Sequence, residues 1–221
     1  MKFTSDQAHE TMKTNNPSII AITGMPGAGK STQGKSLALS TGFPVWYIGQ
    51  PLLNECARQG LPATYANRME MGRQMALFDE SAPLKFISHS FAEMRKQFPY
   101  PKPVIFDAVR TISELEFLKD QCESVVLVAV LLGRDERIRR LTQRDGVSAE
   151  FALSRDQMEI GMTSTHGRKL SVGPVIAIAD CYIHSTSRNA EASIPADIAD
   201  LLSTLQCTAP FAATQTNMRP E

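Results

Sequence analysis

The sequence predicts an α/β protein, a three-layer sandwich with helices on both faces of a mostly parallel sheet. Three observations carry that expectation. Short apolar, β-branched runs recur along the chain, helical patterns separate them, and the first run stops at a glycine-rich loop that opens a helix. Strands alternating with helices join through right-handed crossovers, and a parallel strand covered on both faces reads as an unbroken apolar run. At 221 residues the chain can bury a full core, and its length suits one domain with an insertion. Hydrophobic residues at 43% and charged residues at 21% exclude a wholly disordered chain.

The elements follow in order. Residues 1–17 are polar, lack the apolar core of a secretory signal, and are expected to form a flexible leader. Residues 18–206 form the expected domain. Its first strand is Ser18 to Thr23, and a helix should begin at Lys30 or Ser31. Further strands are expected at Pro44 to Ile48, Pro103 to Asp107 and Val125 to Leu132, with a weaker fifth run at Val175 to Ile183. Between the second and third strands, about 49–102, lies an insertion with helical patterns at Leu52 to Arg58, Tyr65 to Phe78 and Leu84 to Phe98. About 134–172 is expected to form a lid, and 207–221, rich in Thr, Ala, Pro and Gln, a mobile tail.

Lys+Arg and Asp+Glu both total 23, so no overall field draws the chain to nucleic acid or to an anionic membrane surface. No run approaches the roughly 18 apolar residues of a membrane span, and a cytoplasmic location is expected. Cys56, Cys122, Cys181 and Cys207 form no C-x-x-C pair and read as free thiols.

The chemistry starts at Gly24-Met25-Pro26-Gly27-Ala28-Gly29-Lys30-Ser31-Thr32, which fits G-x-x-x-x-G-K-[ST] between a buried strand and a helix. Glycines let the backbone turn its N–H groups inward around phosphates, and the helix N-terminus adds partial positive charge. Lys30 would reach the β and γ oxygens of ATP (or GTP), Ser31 would ligate Mg2+, and Thr32 would lie close to the α-phosphate.

Asp107 closes the third run, where a parallel strand delivers its last side chain to the ligand edge; it can hold Mg2+ through water or cap the helix before Thr111. Arg110 can bind phosphate bidentately. Arg137, Arg140 and Arg144 share one helical face, an expected lid stripe able to neutralise charge during phosphoryl transfer, or else a solvated face pairing with Asp135 and Glu136. Arg155 can join that lid, while Asp156 and Glu159 are expected to orient arginines. Met69, Met71 and Met75 read as core or adaptable pocket lining.

Together these residues resemble the nucleoside monophosphate kinase group of P-loop proteins, in particular adenylate-kinase-like proteins related to dephospho-CoA kinase. The likeness runs from Ser18 to about Asn189 and includes Gly24 to Thr32, Phe106 to Lys119, Arg137 to Arg144, Arg155 to Glu159 and Val175 to Ile183. It implies a five-stranded sheet of order 2-3-1-4-5, an acceptor-binding insertion, and transfer of the ATP γ-phosphoryl to a nucleotide-like small molecule. By the same likeness, Lys30 and Ser31 hold ATP and Mg2+, Arg110 the acceptor phosphate, and Arg137, Arg140 and Arg144 the lid.

The chain departs from the pattern after the second strand. Related proteins carry Gly-Asp and then an Arg three residues beyond the Asp, whereas the matching positions here are Gly49-Gln50 and Leu53. The stretch 161–171 is longer than usual, and His166, Arg168 and Lys169 can fringe the site. A hydroxyl acceptor benefits from a carboxylate base, while a phosphate acceptor needs only positioning and charge neutralisation. Gln50 as an acceptor-side residue therefore favours a monophosphate acceptor. Hydroxyl phosphorylation of the dephospho-CoA kinase kind, with Asp107 as base, and a regulatory ATPase with a decayed acceptor site stay open. So do ATP against GTP and monomer against homodimer.

Overall fold

A computed structural model describes residues 18–78, 84–99, 103–162 and 170–185. The expectations for the leader, the tail, Cys207, and His166, Arg168 and Lys169 lie outside the described residues.

The chain begins with β1 (Ser18–Thr23), buried along its whole length, followed by α1 (Lys30–Thr41) and β2 (Val45–Tyr47). The insertion holds α2 (Gln50–Arg58), α3 (Tyr65–Gln74) and α4 (Lys85–Gln97). Then come β3 (Val104–Asp107), α5 (Ile112–Gln121), β4 (Ser124–Leu131), α6 (Arg134–Asp145), α7 (Ala149–Ile160), α8 (Val172–Ala177) and β5 (Cys181–His184). The strands form one parallel sheet in the order β2-β3-β1-β4-β5, the order implied by the resemblance.

β1 shows why the sheet is central. Ile19 and Ala21 face a core shared with Phe106, Leu127, Leu52, Met71 and Phe86, whereas Ile20 and Ile22 face a second core shared with Leu37, Ile105 and Val128. Period-two alternation thus feeds both layers, and burying each aliphatic side chain contributes about 1.5–3 kcal/mol. Gly34 lets α1 lie close to the strand, since a Cβ there would stand 3.2 Å from Ile22 Cδ1.

Two expected elements differ. The fifth run is not one strand: Val172–Ala177 is helical, with Pro174 inside its first turn where a missing N–H costs nothing, and the strand begins after Asp180. Asp180 fixes that start by accepting a hydrogen bond from Leu127 N at 2.7 Å. The helix expected over Tyr65 to Phe78 stops at Gln74. Ala76 takes a φ of 49°, the chain folds back, and the Phe78 ring packs on Gly72, where a Cβ would lie 2.0 Å away. No helix among the described residues is long and apolar enough to cross a membrane.

Candidate active site

The loop between β1 and α1 depends on glycine twice over. Gly24 (φ 142°) and Gly27 (φ 78°) sit where a Cβ would meet the carbonyl oxygens of Val130 at 2.5 Å and Arg137 at 2.6 Å, so neither the conformation nor the space admits a side chain. Gly29, at φ 98°, caps α1, and Lys30 is its first residue. The Lys30 ammonium donates to Gly24 O at 2.7 Å and Met25 O at 3.1 Å, inside the loop.

Burial and the Arg110 guanidinium depress the Lys30 pKa from its ordinary value to about 8, against the opposing pull of Glu159 and Asp107. A depressed lysine loses its proton as pH rises through 8, whereas the unfolded chain keeps it to about 10.5. Stability of the ligand-free protein therefore rises with pH across that window. Affinity for a triphosphate runs the other way. Above pH 8 it is expected to fall by up to about tenfold per unit, because the bound anion needs the ammonium form. Titration of Mg2+-ATP between pH 7 and 9.5 measures this, and a flat profile would contradict it.

β3 runs beside β1 with Asp107 opposite Ile22, which delivers its carboxylate to the loop. Ser31 Oγ donates to Asp107 Oδ2 at 2.7 Å; Asp107 is 3% exposed, and its Oδ1 is buried with no hydrogen-bond partner. Capping of α5 falls to Thr111 itself, which accepts from Glu114 N at 3.1 Å. A hydroxyl and an adjacent carboxylate with a spare buried oxygen are a hard-cation donor set. Among the described residues no cluster of His, Cys, Asp or Glu could hold a metal by itself. The Ser31–Asp107 pair fits Mg2+, which arrives with phosphates and takes one or two protein oxygens.

The expected arginine stripe disperses. Arg137 is buried, grips Asp156 through both guanidinium nitrogens, and donates to Pro26 O at 3.3 Å and Leu132 O at 3.2 Å. It is a clamp between the loop and α7. Arg140 pairs with Glu136 at 3.0 Å and reaches Ser185 Oγ at 3.3 Å beside Gly29, while Arg144 pairs with Asp145 at 2.5 Å. The helix face is shared, but each head group has a different partner.

A cavity opens between the insertion, β3 and α7. It has two lobes, of roughly 460 and 380 Å3 with their mouths, which share Tyr65, Met69, Phe78, Arg110 and Arg155. Glu159, Met158 and Leu170 complete one lobe; Tyr47, Leu52, Arg68 and Phe86 are among those completing the other. Its guanidiniums are loosely engaged. Arg110 stands 3.6 Å from Glu159, Arg155 3.5 Å from Asp145, and Arg68 3.3 Å from the Tyr47 hydroxyl. Arg155 also lies 4.9 Å over the Tyr65 ring, and its buried Nε has no partner. By contrast, surface Arg58 meets Glu55 at 2.5 Å.

Burial works against charge on Arg110, yet Glu159, Tyr47, Glu114 and Asp107 raise its pKa above the ordinary value. Burial and Arg110 lower that of Arg155.

Of the acceptor-side expectations, Arg110 and Arg155 line this cavity. Gln50 does not; its Nε2 donates to Asn54 Oδ1 at 2.9 Å. Sequence reasoning missed Arg68, Tyr47 and Tyr65. The signal available was the spacing Tyr65, Arg68, Met69 on one face of α3. Met69 lines the cavity, while Met71 and Met75 belong to the core.

A family model described as AAA domain matches residues 23–152. A UPF0200 protein of Thermococcus onnurineus is 30% identical over 75% of this chain and 86% of its own length. One of Staphylothermus marinus is 30% identical over 75% of this chain and 82% of its own length. The crystal structure of a Thermus thermophilus protein aligns with a TM-score of 0.53 at 18% identity, covering 89% of this chain and all of that one. That last likeness is one of fold: a five-stranded parallel sheet of order 2-3-1-4-5 with helices.

Proposed function

The chain belongs to the AAA domain family and to the UPF0200 proteins, and from that premise we propose that it is a P-loop kinase moving the γ-phosphoryl of ATP to a nucleoside monophosphate or a similar phosphate-bearing nucleotide. The observation that carries the reading is the cavity: three loosely paired guanidiniums, Arg68, Arg110 and Arg155, in an aromatic-lined space whose Arg110 acts electrostatically on Lys30. Partly buried donors with long contacts favour a multi-oxygen anion, and Tyr47, Tyr65, Phe78 and Phe86 suit a planar body.

In this reading Lys30 leaves the carbonyls of Gly24 and Met25 for the β and γ oxygens, while the loop N–H groups hold the triphosphate. Ser31 and Asp107 would hold Mg2+, which supplies charge neutralisation at the phosphates. Arg110 and Arg155 orient the acceptor phosphate, and the apolar walls exclude water that would otherwise compete for the phosphoryl group. The acceptor phosphate is already anionic, so attack needs no base.

Incubating the protein with ATP-Mg2+, and in parallel GTP-Mg2+, against a panel of nucleoside monophosphates tests this. Expected is one preferred acceptor converted to its diphosphate. Bound ATP with no phosphorylated product from any acceptor would overturn the kinase reading, and turnover with dephospho-CoA alone would replace the phosphate acceptor by a hydroxyl. Arg110→Ala is expected to raise the acceptor KM by about 10- to 100-fold, the loss of a charge-assisted anion contact.

A further inference from the structure

Arg155 lines both lobes with its side chain 13% exposed, so its guanidinium needs a partner inside the protein. Burial and the like charge of Arg110 both act against it. Asp145 stands 3.5 Å from it, at the edge of hydrogen-bond length, and that carboxylate already accepts from Arg144 Nε at 2.5 Å and Nη2 at 2.8 Å. A further contact is the Tyr65 ring: the guanidinium carbon sits over it, 4.9 Å from the centroid, within the range of a cation–π attraction.

That ring is itself held. The Phe151 ring meets it at 81° with centroids 6.1 Å apart, an edge-to-face pair. Tyr65 is also the first residue of α3, behind the Thr64 cap that accepts from Asn67 N at 3.2 Å, so the backbone beneath the ring is fixed as well. Phe151 lines neither lobe and is 40% exposed.

We propose that Tyr65 is a positioning residue: its ring holds the Arg155 guanidinium between the two lobes and so acts on an acceptor phosphate through Arg155. This rests on the reading of Arg155 as an acceptor-phosphate contact and adds what keeps that cation in place. Asp145 lies outside the cavity lining, so without the ring its attraction draws the guanidinium away from the lobes. A long side chain then regains rotamer freedom that binding must take away again. A ring that stacked on the acceptor directly would act differently, helping only acceptors with a planar body.

The test is equilibrium titration of methyl phosphate and phenyl phosphate, with the loop between β1 and α1 filled by a non-hydrolysable Mg2+-ATP analogue so that the esters do not enter it. In Tyr65→Leu, which keeps apolar bulk but has no π face, both esters are expected to bind about three- to tenfold more weakly, by equal factors. Tyr65→Phe, which keeps the face, should recover most of the loss. In Arg155→Met, itself expected to weaken both esters by about tenfold, adding Tyr65→Leu should cost nothing more. Thermal melting checks that each variant is folded. Should Tyr65→Leu not fold, Phe151→Ala, outside the lining, should weaken both esters equally by about two- to threefold and likewise have no effect without Arg155.

The proposal is overturned by unchanged affinities in Tyr65→Leu, by a loss confined to phenyl phosphate, by no recovery in Tyr65→Phe, by a loss that survives Arg155→Met, or by ester binding that Arg155→Met leaves intact. A wild type that binds neither ester sinks the proposal and the acceptor-cavity reading together. These measurements involve no turnover, so a silent acceptor panel beside the expected shifts would count against phosphoryl transfer alone.

Discussion

Lys30→Ala is expected to reduce turnover by about 10^3-fold or more, because in the proposed reading its ammonium, now held on the carbonyls of Gly24 and Met25, would serve the β and γ oxygens, and Lys30 is the one lysine of the 24–32 stretch. Arg110 and Arg155, which act on it electrostatically, line the cavity and are tied to Glu159 and Asp145. They cannot take its place. Structural damage should be small, since the loop is shaped by Gly24 and Gly27 against the carbonyls of Val130 and Arg137 and not by the lysine. The variant should melt within a few degrees of the wild type while forming almost no product and binding Mg2+-ATP more weakly. Product formation at near wild-type rate would refute the assignment of the phosphate grip.

Arg137→Ala is expected to act mainly on stability, by about 3–5 kcal/mol, since it strands Asp156 as a buried charge. For a chain of this size that is about 6–20 °C in Tm. Arg134 stands 3.4 Å from the same carboxylate but is half-exposed, and it does not reach the carbonyls of Pro26 and Leu132 that Arg137 serves. Replacing both members together, Arg137→Met with Asp156→Leu, should recover most of the loss, because apolar side chains carry no desolvation penalty. Melting of the single and double variants checks this. A Tm unchanged in Arg137→Ala, with turnover reduced by orders of magnitude, would restore the phosphate-neutralising role that the helical spacing suggests.

These two residues mark what could and could not be read along the chain. The placement of Lys30, Ser31 and Asp107 was legible because each sits where a strand ends or the following helix begins, and the register of β3 against β1 brings Asp107 to Ser31. The strand order followed from the resemblance. The arginine stripe misled because periodicity fixes which residues share a face of α6 but not what each head group meets; Arg137 faces Asp156, nineteen residues away. The helical spacing puts Arg68 on the face of Tyr65 and Met69, but its meeting with Tyr47 is made by the insertion folding over β2, a tertiary event without local pattern. Val175 to Ile183 misread as one strand because an apolar run says nothing about its period when Gly173 and Pro174 precede it.

The close approach of Gly27 to the Arg137 backbone, together with the Arg137–Asp156 pair, ties the loop between β1 and α1 to α6 and α7 as one block. Widening the cavity should accordingly begin on the helices between β2 and β3, which bring Arg68 and Tyr65 to its lining, because side chains there can be changed without disturbing the tied half.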